Sequence, residues 1–414
     1  MSRNIFKRVS AKKKLLAALA AAFCFGSQPL PVFAAGHEAV QQDMNIKDRI
    51  NAILRGAAEK NKKSSQQEIW GDAACVMHEM PTSSKDAGGT LLFSDSPEYV
   101  TQDGVLYRDT VTGDARVFYY HLNNTDVPKK VVVVLQNKYD GINVIKLTRG
   151  GSSAPSQDYL YVGKTTQMNY FAKGMDDTFV LTRNMGRLLQ DQMNTTLVKP
   201  GELVAGMYDF HAAQPVEVSV LMMAEDADPL AAARDLPVLP KDEMRLRGTF
   251  AGMNRELTVK HIYDPETDGV RYFRVADDER DKFRDGIDAT DGSKVRNVGN
   301  YGIVYRINIP TRGKKPVQYY LSPLGGVYAG AMLAVSDPAG KKLLPVPAKP
   351  FFGDKIPAAS EPLPFALGEG AEVLAYGTEV ADLGVYPSDR PVYFLYSPPG
   401  ASNLPVNIIL KPNP

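Results

Sequence analysis

Residues 116–123, RVFYYHLN, are followed eight residues later by the run VVVVL, Val131–Leu135, and few folds accept both. In an extended chain, alternate side chains point to opposite faces. Phe118, Tyr120 and Leu122 then share one face, and Val117, Tyr119, His121 and Asn123 share the other. Five consecutive apolar residues, four of them β-branched, suit a strand covered on both faces. The same pattern recurs in INVIKLTRG, LVAGMYDF and VEVSVLMM, the last two separated by the expected turn AAQP. Beyond residue 245 it returns in ELTVKHIYD, GVRYFRVAD, YGIVYRINI, VQYYLSPL, VYAGAMLAV, AEVLAYGTEV, PVYFLYSP and VNIILKP. Short strands punctuated by Pro and Gly predict a mainly β protein.

The expected architecture is two immunoglobulin-like β-sandwich domains in tandem, at 88–225 and 246–414. The segment 226–245 contains AEDADPLAAARDLPVLPKDE in large part, which reads as a short helix plus an extended connector. Residues 35–87 read as a helical lead and linker, with Ile46, Ile50, Ile53 and Leu54 on one helix face. Two segments, VFYYHLNNTDVPKKVVVVLQN and IVYRINIPTRGKKPVQYYLSP, echo each other in strand, polar loop, lysines and strand.

The first 34 residues have the layout of a secretory signal peptide. Arg3, Lys7, Arg8, Lys12, Lys13 and Lys14 precede the apolar stretch Leu15–Phe25, and Val32-Phe33-Ala34 makes a small-residue cleavage site. Removing 1–34 takes away six basic residues and no acidic one, so the formal charge moves from +1 to −5. A mildly acidic chain disfavours sequence-independent nucleic-acid binding. No later apolar run has the length of a transmembrane helix. The expected location is secreted or associated with the cell envelope. Cys75 is the one cysteine beyond the signal peptide, so stability is expected from burial and not from an internal disulfide.

YVGKTTQ, residues 161–167, ends like a phosphate-binding loop. That loop needs Gly five residues before Gly163, where this chain has Asp158, and a carboxylate there repels phosphate. The expectation is a strand DYLYV, a turn at Gly163 and a helix cap at Thr165. Two acidic stretches bear on calcium. DPETDG offers Asp264, Glu266 and Asp268, but Val275 stands where a bidentate Glu is required. The stretch is expected to be a hairpin turn, and a looser calcium site there or at DATDGS (Asp288, Asp291) is the alternative.

CVMHEM crowds Cys75, Met77, His78 and Met80 into six residues. Thiolate, thioether and imidazole favour copper, while buried Met and Cys are also ordinary packing residues. The aromatic and amide residues Tyr119, His121 and Asn123 suit stacking on a glycan. No catalytic residue is proposed by any motif: there is no G-x-S-x-G elbow, and no paired carboxylates stand out as glycosidase acids. The expected function is a non-enzymatic envelope protein, binding or structural, for a polymer or protein partner. The rivals are a copper or redox protein using CVMHEM and a hydrolase assembled from distant residues.

LLFSDSPEYVTQDGVLYRDTVTGDARVFYYHLNNT with DYLYVGK, and later GNYGIVYRINI with GGVYAGAML, resembles a group of exported Firmicutes-type proteins. Many of those are labelled through an attached copper-amine-oxidase N-terminal-like domain, which is not seen in this chain. The resemblance covers residues 88–225 and 296–335. It implies an exported, β-rich, envelope-associated protein and carries over no catalytic residue.

Overall fold

Strand pairing joins the two halves of the chain. The computed structural model describes residues 75–172, 174–324, 327–352, 370–374 and 380–413, all within one unit, Ile50–Pro414. The signal peptide and the Ile46–Leu54 helix lie outside the described residues. The fold is mainly β, as the alternation predicts, and it is built on three sheets.

The first sheet has the order β20 (Ala371–Leu374), β1 (Cys75–Glu79), β13 (Arg271–Val275), β23 (Val406–Pro412), β17 (Val317–Pro323) and β21 (Ala381–Tyr386). The second runs β15 (Ser293–Asn297), β14 (Arg284–Asp288), β11 (Arg247–Ala251), β3 (Thr90–Ser94), β5 (Gly104–Asn123), β10 (Leu203–Ala224), β6 (Lys129–Asn137) and β9 (Gly186–Leu188). To it are added β4 (Tyr99–Val100) on β5, β7 (Asn143–Ser152) on β10, and β8 (Gly174–Leu181) on β7. The third is β19 (Gly340–Val346), β18 (Gly330–Ser336), β22 (Val392–Tyr396), β16 (Val304–Ile309), β12 (Asn254–Val259) and β2 (Thr82–Ala87). β1 and β2 fall inside the segment read as lead and linker, where the polar TSSKDA hides a strand on a sheet edge.

The two-faced reading of 117–122 holds. Phe118, Tyr120 and Leu122 enter one hydrophobic core, while Val117 and Tyr119 enter a second. On the paired strand β10, Leu203, Ala205 and Met207 join the first core, and Val204, Tyr208 and Phe210 the second. Val131–Leu135 are all at most 4% exposed, as a strand covered on both faces requires. The second core draws its residues from Leu92 to Leu239. The first spans Met80 to Leu410 and takes in the facing side of the second sheet.

Several local expectations need correction. AAQP is not a turn: β10 runs through it, with a register shift between Ala212 and Val216 against β5. A bulge absorbs the extra residues while the strand continues. PETDG is a turn, but its flanking strands β12 and β13 belong to different sheets, so it closes no hairpin. The echo does not correspond to a repeated pairing. β5 and β6 flank β10 in one sheet, whereas β16 and β17 lie in different sheets. The connector does hold a short helix, α2 (Pro229–Asp235), capped by Asp228, whose Oδ1 accepts the Ala231 amide at 2.7 Å.

The largest change concerns YVGKTTQ. Helix α1 (Tyr159–Ala172) begins right after Asp158, whose Oδ1 accepts the Tyr161 amide at 3.0 Å. The cap is therefore Asp158 and not Thr165, and DYLYV is helical although Tyr and Val are good strand formers. Packing overrides such weak local preferences. Gly163 is a packing glycine: a Cβ there would lie 2.3 Å from the Gly400 carbonyl oxygen. Lys164 donates to the carbonyls of Pro347 (2.6 Å), Lys349 (2.8 Å) and Pro350 (3.3 Å), so it holds the chain after β19.

Candidate functional site

The end of β1 and the end of β12 meet at the protein surface. The Lys260 amide donates to the Pro81 carbonyl at 2.9 Å, and β1 pairs in parallel with β13 through His78 and Arg271. These contacts leave an open cleft of about 270 Å³, lined by Glu79, Met80, Pro81, Lys260, His261 and Arg271. Part of the CVMHEM motif therefore borders a cleft, through Glu79 and Met80, and of the residues singled out for copper only Met80 is in that lining.

The 264–268 turn holds two of the lining residues, His261 and Arg271. Asp268 Oδ2 lies 2.7 Å from His261 Nε2 and accepts the Asp264 amide at 2.7 Å. Arg271 Nε donates to the Asp268 carbonyl at 3.0 Å, and its guanidinium lies 3.6 Å from the Asp268 carboxylate. Burial alone would raise the Asp268 pKa, but the Asp264 amide and His261 hold it below the usual carboxylate range. Asp264 Oδ2 accepts from Arg312 at 3.2 Å. These carboxylates are thus occupied by donors, and a calcium ion would have to displace them. The second calcium candidate is occupied in the same way. Asp288 contacts Arg247 and Lys241, and Asp291 contacts Lys241 at 2.7 Å.

Also in the lining, Glu79 has its Oε1 2.6 Å from Arg280 Nε. Burial raises the Glu79 pKa, with Arg280 and Arg274 acting against it. Lys260 is exposed, and among the described residues its ammonium has no partner. Arg271 and Glu79 already have partners of opposite charge and His261 lies on Asp268, so among the described lining residues the unanswered charge is that of Lys260. A carboxylate or phosphate entering it would find Lys260 free and Arg271 part-exposed beside it.

The residues of the copper expectation separate. Met77 packs with Tyr272, Tyr320, Val380 and Ile409, whereas Met80 belongs to the first core. His78 is exposed, and Cys75 opens β1, its side chain lying outside the described residues. Among the described residues, no group of three or more His, Cys, Asp and Glu is arranged to hold a metal ion.

The glycan candidates Tyr119, His121 and Asn123 are 2%, 0% and 0% exposed. His121 Nε2 lies 2.8 Å from Ser94 Oγ, and its Nδ1 lies 2.9 Å from the Pro97 carbonyl. Burial lowers its pKa to about 4, so the imidazole is neutral near pH 7. Asn123 donates to the Val127 and Val198 carbonyls and accepts from the Thr125 amide and hydroxyl. Their polar atoms are engaged inside the protein.

Sequence reading missed Lys260, His261 and Arg271 because they are spread over two strand ends and a turn. The signal within reach is the spacing of His261 and Asp268 across PETDG, a stretch the sequence presents as a turn or a calcium site.

No protein family matches the chain, and no curated protein matches it. Among solved structures, it is similar to the 7S globulin of Momordica charantia at 10% identity and a TM-score of 0.11, over 82% of this chain and 84% of that one. It is similar to the coconut allergen cocosin at 10% identity and TM-score 0.11, over 81% and 86%. The oxalate decarboxylase of Bacillus subtilis, a protein with Mn(II) centres, is similar at 9% identity and TM-score 0.11, over 79% and 77%. Likenesses of this size carry no argument.

Proposed function

We propose that this chain is an exported, envelope-associated binding protein, and that its cleft at the ends of β1 and β12 holds an anionic group of an envelope polymer or protein partner. The observation that carries the reading is the ammonium of Lys260, exposed and without a partner among the described residues, beside Arg271 and His261 on an open cleft. A cation already matched by a carboxylate gains little from a second anion, whereas a free one gains a charge-assisted hydrogen bond. The signal layout of residues 1–34 and the resemblance to exported proteins support the location. The two hydrophobic cores support a two-sandwich organisation in which the second sheet is shared between them.

Isothermal titration tests this with three probes: a poly(glycerol phosphate), a polyuronate and a neutral glucan. Binding of an anionic probe that weakens with salt and is lost in Lys260→Glu supports the proposal. No binding of either anionic probe, or equal binding by Lys260→Glu, overturns it.

A further inference from the structure

The segment Asp95–Val100, between β3 and the β5 edge, is tied to the connector at one residue. Asp242 Oδ1 accepts the Ser96 hydroxyl at 2.8 Å, and its Oδ2 accepts the Glu98 amide at 2.8 Å. The Asp242 amide returns a bond to Ser96 Oγ at 3.0 Å. The same carboxylate accepts the amides of Met244 (3.1 Å) and Arg245 (3.0 Å), so one side chain fastens both segments. Arg247 adds a bond to the Ser96 carbonyl, and His121 one to the Pro97 carbonyl. Beyond the tie, β4 is held by Leu122 N to the Glu98 carbonyl and Asn124 N to the Val100 carbonyl, both 2.8 Å.

Two more carboxyls, Asp95 and Glu98, crowd this knot. Asp95 Oδ1 is buried without a hydrogen-bond partner. The titratable groups acting on the pair are Asp242 of the connector, Tyr99 of the same segment, Tyr120 of β5, Tyr159 of α1 and, through Tyr120, Tyr301. His121 of β5, neutral near pH 7, feels both Asp242 and Arg247 of β11. No cation is among the charges acting on Asp95 or Glu98. Arg247 spends its guanidinium on Asp288, Thr290 and the carbonyls of Ser96, Leu106 and Leu239. Three carboxyls without a contacting cation cannot all be charged cheaply.

We propose that Asp95–Val100 is a pH-operated latch, closed on Asp242 while Asp95 and Glu98 hold protons and released as they lose them. Burial, with Glu98 and Asp242 adding, pushes the Asp95 carboxyl well above its usual range. Burial, with Asp242 adding, raises Glu98 from 4.5 to about 7. A raised carboxyl stabilises the closed form fully below its ordinary value, and that stabilisation is lost as pH rises through the closed-state value. The latch therefore loosens near and above neutral pH. If Glu98 returns to 4.5 on opening, the opening constant rises about 30-fold between about pH 5.5 and about pH 8.5.

Hydrogen exchange followed by mass spectrometry over peptides spanning 95–101, corrected for intrinsic rates and run where closing outpaces exchange, reads this directly. The expected result is a rise in opening of about 30-fold or more from pH 5.5 to 8.5, together with a flattened slope in Glu98→Gln and a reduced one in Asp95→Asn. Both variants remove the charge that opposes closure, so folding is retained. Protection in the unaltered protein that does not change with pH overturns the latch. So does a Glu98→Gln variant that keeps the full slope.

Discussion

Asp288 is buried and Glu98 half-buried, and Arg247 bonds both Asp288 and the Ser96 carbonyl of the Glu98 segment, yet among the described residues only Asp288 of the two acids has a cation in contact. Arg247 Nε donates to Asp288 at 2.9 Å and Lys241 lies 3.1 Å away. Burial alone would raise its pKa, but Thr290 and Arg247 hold it below the usual value. Glu98 has no cation in contact among the described residues, and burial, with Asp242 adding, raises its pKa to about 7. Asp281 lies between these cases: Arg255, Tyr305 and the Ala276 amide all bond it, yet burial still wins and raises it. A buried acid's behaviour is thus set by the balance of desolvation against donors and not by burial itself.

The paired extreme is Arg116. It is 1% exposed and bonds Asp209 through two nitrogens, at 2.6 and 2.8 Å. It also bonds Tyr170 of α1 and the carbonyls of Met253 and Gly302. One guanidinium thus links both halves of the chain and the helix. Arg116→Met should cost about 3–5 kcal/mol, because Asp209 is left buried and uncompensated. Urea denaturation checks this, and Arg116→Met with Asp209→Leu should recover much of the loss. A loss below about 1 kcal/mol would break the paired side of the comparison.

Asp288→Asn is the next largest effect, about 2–3 kcal/mol at pH 7, since a charge-assisted bond to Arg247 is lost. For a lowered pKa, the stabilisation is present above the ordinary value and disappears as pH falls through the folded one. The unaltered protein should therefore lose stability below about pH 4, and the variant should lose less over the same range. Parallel acid limbs in the two melting profiles would count against that assignment.

Glu98→Gln sharpens the unpaired side and has the opposite sign. It should stabilise by about 1–2 kcal/mol at pH 8.5 and add almost nothing at pH 4, where Glu98 is protonated in both states. A variant no more stable than the parent at alkaline pH would show that the knot tolerates its charge.

Lys164→Ala is the smallest change. This cation bonds carbonyls and no acid, and burial lowers its pKa. Losing those bonds at a part-exposed site should cost about 0.5–1 kcal/mol. Mg-ATP should leave the melting temperature of the parent unchanged. A rise that Lys164→Ala abolishes would reopen the nucleotide reading.

Strand positions were legible to within a few residues at Val304–Ile309, Val392–Tyr396 and Val406–Pro412, because alternation is a property of neighbouring residues. The two faces of 117–122 were legible for the same reason. DYLYV was misread because its strand-forming residues are outweighed by an Asp cap and by packing on Gly400. PETDG was legible as a turn, but not the sheets that receive its two ends.

The cleft was not legible at all. Lys260, His261 and Arg271 lie on ordinary polar positions, and only the meeting of β1 with β12 and β13 brings Glu79 to them. The latch shows the same limit, with Ser96 and Asp242 146 positions apart.

By itself, the sequence determined a mainly β chain, its strand periodicity and the double burial of VVVVL, because side-chain alternation acts over two residues. Tertiary structure alone decided which acids acquire a cation. Arg116 meets Asp209 across 93 positions, while the charges acting on Asp95 and Glu98 are those of other carboxyls. Charge is written locally in a sequence, but solvation and partners are assigned by packing.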